Sequence, residues 1–125
     1  MTDALVWVGV AGLGAIGSLA RFHLGSLVTA RWPSDFPLGT FAVNLTGSFV
    51  LGVLTGLSLG GDVMLLVGTG LLGAYTTFST WMVEAERLGE DGDWMLLWLY
   101  LFGSMLAGVA AAGGGWLLGG LGQLA

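Results

Sequence analysis

The most informative segment of the chain reads Gly73-Ala74-Tyr75-Thr76-Thr77-Phe78-Ser79-Thr80-Trp81. It places four hydroxyl side chains within five positions of an otherwise apolar run. Glycine and β-branched threonine both weaken a regular helix, so we expect a break there. Irregular backbone at membrane depth lines a cavity or is buried by protein, and broken helices commonly mark ion sites. The alternative is an unbroken helix whose hydroxyls bond back to their own carbonyls.

The composition around this stretch indicates that lipid is the main solvent. Hydrophobic residues make up 55% of the 125-residue chain and charged residues only 9%, and the mean hydropathy is +0.89. A soluble domain averages roughly 25% charged residues. A chain this small has too high a surface-to-volume ratio to hide so much apolar surface in its interior.

Charged residues divide the sequence into four apolar runs, each long enough for the roughly 20 residues that a membrane-spanning helix requires. The helices predicted from these runs cover about residues 4–27, 38–59, 63–87 and 94–118, and the third apolar run itself ends at residue 83. Because main-chain polar groups must be satisfied internally in lipid, helices are expected. The sequence predicts an all-α membrane protein: one membrane domain over residues 1–125, four transmembrane helices, the third broken near its middle.

Several function classes do not fit this sequence. The chain has no cysteine, one histidine (His23), no lysine and a net charge of −5. This composition argues against a cysteine- or histidine-based metal centre and against nucleic-acid binding. No nucleophile–base pair indicates an enzyme. A proton-coupled multidrug exporter would need a carboxylate in the centre of a span, and none of the predicted spans has an Asp or Glu there. A structural subunit without transport stays open.

A few polar residues lie inside the apolar runs. Arg21 is costly in lipid and usually functional there, unless it lies near enough to the helix end to snorkel. The Asn44 side chain must either form hydrogen bonds with another helix or face water in a pore. Tyr100 and Ser104 share one helix face and form either a polar row or ordinary interhelical bonds. Glu84 follows Thr80 by one turn and is placed to border a vestibule.

Glycine is abundant, with 24 copies. Small residues on one helix face allow two membrane helices to approach closely. Gly52 and Gly56 share such a face, as do Gly115 and Gly119, so helix packing is predicted for both pairs.

Three segments of the chain form a distinctive series. Residues 14–21 form a glycine-rich segment that ends in Arg21, residues 39–49 surround Asn44, and residues 76–80 contain the hydroxyl cluster. In their order and separations they resemble the signatures of the Fluc (CrcB) family of fluoride channels. The third signature is the most specific, and the resemblance covers nearly the whole chain.

The resemblance implies a passive, fluoride-selective channel in the cell membrane of a prokaryote, which exports fluoride and lowers its cytoplasmic concentration. It implies an antiparallel dimer with two separate pores, formed with a second copy or with a related chain. A structural sodium ion, which is not transported, is implied at the two-fold axis. The main-chain carbonyls of Gly73 and Thr76 occupy the matching positions.

The resemblance also assigns the site, with two departures. Asn44 matches the pore asparagine and Phe78 one of two pore phenylalanines, but Trp81 stands at the second phenylalanine position. Gly108 stands where the polar row of the fourth helix would continue with serine. The predicted fluoride-pore residues are Asn44, Phe78, Trp81, Ser79, Thr80, Tyr100 and Ser104, with Arg21 and Glu84 at the pore mouth.

Orientation in the membrane is weakly specified. Alternating helix ends place Arg31 and Arg87 on one side, and a positive-inside bias would then leave both termini outside. With so few charges the chain could also insert both ways. The sequence leaves fixed and dual topology open.

Overall fold

The computed structural model describes residues 3–124, which are almost entirely helical. The elements are α1 (Asp3–Arg31), α2 (Leu38–Gly56), α3 (Gly61–Val63), a π-helical segment (Met64–Leu72), α4 (Gly73–Tyr75), α5 (Ser79–Glu90) and α6 (Trp94–Leu121). The elements from α3 to α5 form one span, Gly61–Glu90, hereafter the third span. It and α1, α2 and α6 are the four stretches long and apolar enough to cross a membrane. The predicted all-α membrane fold is confirmed.

The third span is broken near its middle, as predicted. α4 ends at Tyr75, α5 begins at Ser79, and Thr76 between them has an extended backbone with ψ of 158°. The Thr76 hydroxyl does bond back to the Leu72 carbonyl at 2.9 Å. That bond did not preserve the helix, so the alternative of an unbroken span is wrong.

A feature that the sequence analysis did not predict is the π-helical segment before the break. It covers nine residues, Met64–Leu72, whereas most π-helices are single-turn bulges. α1 lies directly against it. A Cβ at Gly17 of α1 would overlap the Leu71 carbonyl oxygen, and one at Gly70 would lie 3.1 Å from the Val10 oxygen. Glycines on both sides thus let the wide segment pack backbone to backbone.

The helices α2 and α6 also pack along each other through glycines. At four positions an added Cβ would overlap a carbonyl oxygen of the opposite helix. The contacts pair Gly52 with Ala112, Gly56 with Trp116, Gly115 with Phe49, and Gly119 with Val53. The packing role predicted for the two glycine pairs is confirmed, because no larger residue fits without moving a helix.

The second half of the third span packs against α6 through a small buried core. This core consists of Ala85, Leu88, Leu97 and Tyr100, with Trp81 packed against it. The outside of the bundle is different, since large apolar side chains such as Leu106 (71% exposed) and Val109 (68% exposed) project from α6. Such a surface suits lipid rather than water.

Short connections make neighbouring helices antiparallel. α5 ends in a Schellman motif: Gly92 has φ of 77°, and the Asp93 amide donates to the Leu88 carbonyl at 2.8 Å. Glycine suits this left-handed position because it has no Cβ. The chain then turns at once into α6. At the other connection α1 runs to Arg31, four residues beyond the predicted end at residue 27.

Candidate functional site

The break is held open by a side chain of α2. The Asn44 amide nitrogen donates to the Thr77 carbonyl at 2.8 Å, and the Thr77 amide donates to Asn44 Oδ1, also at 2.8 Å. In an unbroken helix the Thr77 amide would instead bond the Gly73 carbonyl. Asn44 therefore bonds two helices together, which was one of its two predicted roles. Its amide nitrogen carries two hydrogens, so one donor remains for another partner.

Thr77 also starts the second half of the span. Its Oγ1 accepts the Thr80 amide at 3.2 Å and donates to Thr80 Oγ1 at 3.2 Å. A threonine three residues ahead of a free amide is the usual way to cap a helix N-terminus. Thr77 is also buried, at 9% exposure. Thr77 was predicted as part of the hydroxyl cluster but not of the site, although its spacing from Thr80 is a signal for a helix cap.

The first half of the span rests on α2 as well. A Cβ at Gly47 would meet the Thr76 methyl and the Tyr75 ring, so only glycine admits both. The Tyr75 hydroxyl lies 2.8 Å from Thr46 Oγ1. Both ends of the break are thus positioned by successive turns of α2.

Two cavities flank the break. Groove A, of about 530 Å³, lies between α2, the third span and α6. Of the predicted site residues it collects Asn44, Gly73, Thr76, Phe78, Trp81 and Ser104. Among the residues described, those lining it carry no charged side chain.

Two aromatic rings border groove A. Phe78 and Trp81 meet edge to face, with centroids 5.7 Å apart and planes at 82°. Phe78 is 68% exposed on this single chain. Aromatic edges carry partial positive charge, so rings in this arrangement can face an anion with an edge.

Groove B, of about 830 Å³, lies on the other side of the break, between α1, α2 and α5. It contains the predicted Arg21, Ser79, Thr80 and Glu84, and Thr77 lines both grooves. The Thr40 hydroxyl, which the sequence analysis did not single out, donates to the Glu84 carboxylate. The predicted site residues are thus divided between two cavities.

Tyr100 lines neither groove. It is fully buried, at 0% exposure, and meets the Phe36 ring edge to face at 5.3 Å. Its hydroxyl faces Thr40 and Glu84 of groove B but makes no hydrogen bond of normal geometry. One turn later, Ser104 lines groove A. Tyr100 and Ser104 therefore lie between the two cavities.

Three buried polar atoms have no hydrogen-bond partner within residues 3–124: Trp81 Nε1, Tyr100 Oη and Ser104 Oγ. Buried polar side-chain atoms are nearly always partnered, and leaving one unpaired costs about 1–3 kcal/mol. All three can donate a hydrogen bond. All three also belong to the residues predicted from the sequence as pore-lining.

The break leaves two carbonyls without their usual helical donors. The Gly73 carbonyl loses the Thr77 amide to Asn44, and the Thr76 carbonyl loses the Thr80 amide to the Thr77 hydroxyl. Hard cations such as sodium prefer oxygen ligands. The two residues predicted to hold sodium therefore fit such an ion.

Fold and site together define a multi-pass helical membrane protein whose broken third span separates two cavities. The chain belongs to the CrcB family: the family described as CrcB-like protein, Camphor Resistance (CrcB), matches residues 8–116. The family predicted from the three sequence signatures is confirmed.

Curated relatives match this chain over most of their length. The chain is 49% identical to fluoride-specific ion channel FluC 2 of Mycobacterium tuberculosis, over 86% of this chain and 85% of the relative. It is 45% identical to fluoride-specific ion channel FluC 1 of Leifsonia xyli, over 94% and 88%. It is 41% identical to fluoride-specific ion channel FluC 1 of Listeria innocua, over 86% and 92%.

Proposed function

We propose that this chain is a passive channel for fluoride, not an enzyme. The observation that carries the proposal is the pair of buried donors, Trp81 Nε1 and Ser104 Oγ, which have no partner within residues 3–124 and belong to residues lining groove A. Fluoride is a small anion that accepts hydrogen bonds and donates none, so buried donors that no protein acceptor satisfies match its chemistry. The names of the relatives, all fluoride-specific ion channels, support the same ion.

A selective pore must replace the water around fluoride without holding the ion too tightly to release it. Groove A suits this requirement because it offers weak donors and no full charge. The second Asn44 hydrogen, the Ser104 hydroxyl and the edges of Phe78 and Trp81 can share the ion among them. Tyr100, whose hydroxyl faces Thr40 and Glu84 of groove B, lies between the two cavities.

Groove B forms the mouth in this proposal. Arg21 lies at its wall with Glu84 and Arg87, and a guanidinium raises the local concentration of anions. The Arg21 position within α1 suits this functional role better than simple snorkelling, because the side chain borders a cavity that leads to the break.

The proposed channel contains a structural sodium ion that is not transported. Its ligands are the main-chain carbonyls of Gly73 and Thr76, which have lost their helical donors. A bound cation there would supply a fixed positive potential close to the pore donors.

The proposed assembly is an antiparallel dimer with two pores, made of two copies or of this chain and a related one. On a single chain groove A is open and Phe78 is largely exposed. A second subunit would cover both and complete the pore wall. Arg31 and Arg87 lie at the same end of the bundle, so a positive-inside bias favours one orientation, and an antiparallel copy must overcome it.

Transport would follow the electrochemical gradient, because the chain carries no nucleotide-binding motif. In the plasma membrane of a prokaryote, with a negative interior, this gradient drives fluoride out and lowers its cytoplasmic concentration.

The experiment is fluoride efflux from liposomes, followed with a fluoride electrode, for the wild type and for Asn44→Ala and Phe78→Ala. We expect rapid efflux from the wild type and collapse in both variants, whose elution in detergent must match the wild type. Folded variants that retain wild-type efflux would contradict the assigned pore. A structural subunit without transport would show no efflux in any of the three proteins.

A further inference from the structure

Ser48 lies in groove A, one turn after Asn44 on α2. It is half-buried, and the sequence signatures assigned it no role. Across the cavity, the same groove is lined by Ser104 and Gly108 of α6. Ser48 is therefore a hydroxyl on the wall opposite the predicted polar row.

The Ser48 hydroxyl is free, unlike the other hydroxyls of α2 within the described chain. Thr46 bonds back to the Ala42 carbonyl at 2.8 Å, and Thr55 bonds back to the Leu51 carbonyl at 2.8 Å. Hydroxyls inside helices commonly satisfy themselves this way. Among residues 3–124, Ser48 has neither such a bond nor another partner, so its hydroxyl is available to the cavity.

The position of Ser48 coincides with a gap in the row on α6. Tyr100 and Ser104 follow each other by one turn, and the next turn presents Gly108, which has no side chain. A Cβ added at Gly108 would lie 3.7 Å from Ser48 Oγ. The hydroxyl that α6 lacks at this level is thus offered by α2.

We propose that Ser48 is a fluoride-binding residue of the pore, which continues the donor row of Tyr100 and Ser104 from the opposite helix. This inference rests on the proposed function and adds a residue to it. A hydrogen bond from Ser48 to a passing anion is charge-assisted, and such bonds are about twice as strong as neutral ones.

The test compares fluoride efflux from liposomes for the wild type, Ser48→Ala, Ser48→Ala with Gly108→Ser, and Thr55→Ala. Removing a donor to a charged group lowers binding by about tenfold or more, and we expect Ser48→Ala to lower efflux by that factor. Gly108→Ser should restore efflux in the Ser48→Ala background, because it moves the hydroxyl to α6 at the same level. Thr55→Ala removes an α2 hydroxyl outside the groove and should conduct like the wild type.

Rescue by Gly108→Ser separates a lost donor from general damage, since one oxygen across the groove cannot repair a misfolded α2. Wild-type efflux from Ser48→Ala overturns the inference while leaving the fluoride channel intact. A reduced Ser48→Ala that Gly108→Ser fails to rescue also overturns it. A wild type without efflux overturns the proposed function itself and this inference with it.

Discussion

Asn44 and Thr77 exchange two hydrogen bonds of 2.8 Å, one in each direction, between an α2 side chain and the main chain of the broken span. The pair reproduces the pattern of the helical bonds that the break removes. It also frees the Gly73 carbonyl, because the Thr77 amide now faces α2. One side chain thus holds the irregular backbone and leaves the Gly73 carbonyl without its usual helical donor.

Asn44→Ala should destabilise the protein as well as stop conduction. It leaves the amide and the carbonyl of Thr77 unpaired at membrane depth, at a cost of about 1–3 kcal/mol for each buried group. Thermal unfolding in detergent measures this loss. Thr55→Ala, which removes only a local bond to Leu51, should unfold within about 1 kcal/mol of the wild type. Equal stability of Asn44→Ala and the wild type would contradict a stabilising role for the two hydrogen bonds between Asn44 and Thr77.

Tyr100→Phe and Ser104→Ala should separate conduction from stability. Each variant deletes a buried hydroxyl that makes no hydrogen bond of normal geometry within residues 3–124, so folding loses little, and relief of an unsatisfied group can even stabilise. Fluoride efflux should fall by about tenfold in each, because a donor to the anion is lost. The measurement is efflux and melting temperature on the same preparations. Variants that melt much lower yet conduct normally would contradict a pore role for these hydroxyls.

Substitutions at Trp81 test whether the pore uses the edge of the aromatic ring or the indole N–H. Trp81→Phe keeps a ring edge but removes the unpartnered indole N–H, whereas Trp81→Ala removes both. We expect Trp81→Phe to conduct within about tenfold of the wild type and Trp81→Ala not to conduct. Initial rates of fluoride efflux give the comparison. Normal flux through a folded Trp81→Ala would show that no aromatic edge is needed there.

Gly52→Ala should destabilise the contact between α2 and α6. Its new methyl group would overlap the Ala112 carbonyl oxygen, and overpacking of this kind costs about 1–3 kcal/mol. Gly113→Ala on α6 is the matched control, since a Cβ at Gly113 meets nothing within 4 Å. The melting temperature should fall for Gly52→Ala and stay near the wild-type value for Gly113→Ala. Identical curves would contradict the close approach of the two helices.

Sodium should stabilise the folded protein if Gly73 and Thr76 hold the ion. An ion present at a hundred times its Kd stabilises by about 2.7 kcal/mol. The melting temperature should therefore be higher in sodium than in N-methyl-D-glucamine at equal ionic strength. Asn44→Ala should reduce this difference, because it removes the side chain that holds the break in which the Gly73 and Thr76 carbonyls lie. Equal melting in both salts would contradict the sodium site.

Much of the fold was predictable because membrane helices leave a strong pattern. Four apolar runs gave four spans, and the cluster from Thr76 to Thr80 gave the break. The glycine pairs Gly52/Gly56 and Gly115/Gly119 gave the packing of α2 on α6. In each case one local property, apolar length or side-chain size, determines the outcome.

The remaining features depend on contacts between distant segments. The π-helical segment packs closely against α1, and no periodicity in its own residues predicts it. Thr40 became part of the site only through Glu84, which lies 44 positions away. The division of the predicted pore residues between two grooves also needed the packed structure, because it depends on which side of the break each helix lies.

The most direct test of the proposed fluoride channel is anion efflux from liposomes that contain only this chain and hold equal concentrations of fluoride and chloride. A potassium ionophore makes the membrane permeable to potassium and so starts the efflux. We expect fluoride to leave quickly while chloride is retained. Fluoride retention by liposomes holding folded, dimeric protein, or equal release of both anions, would contradict it.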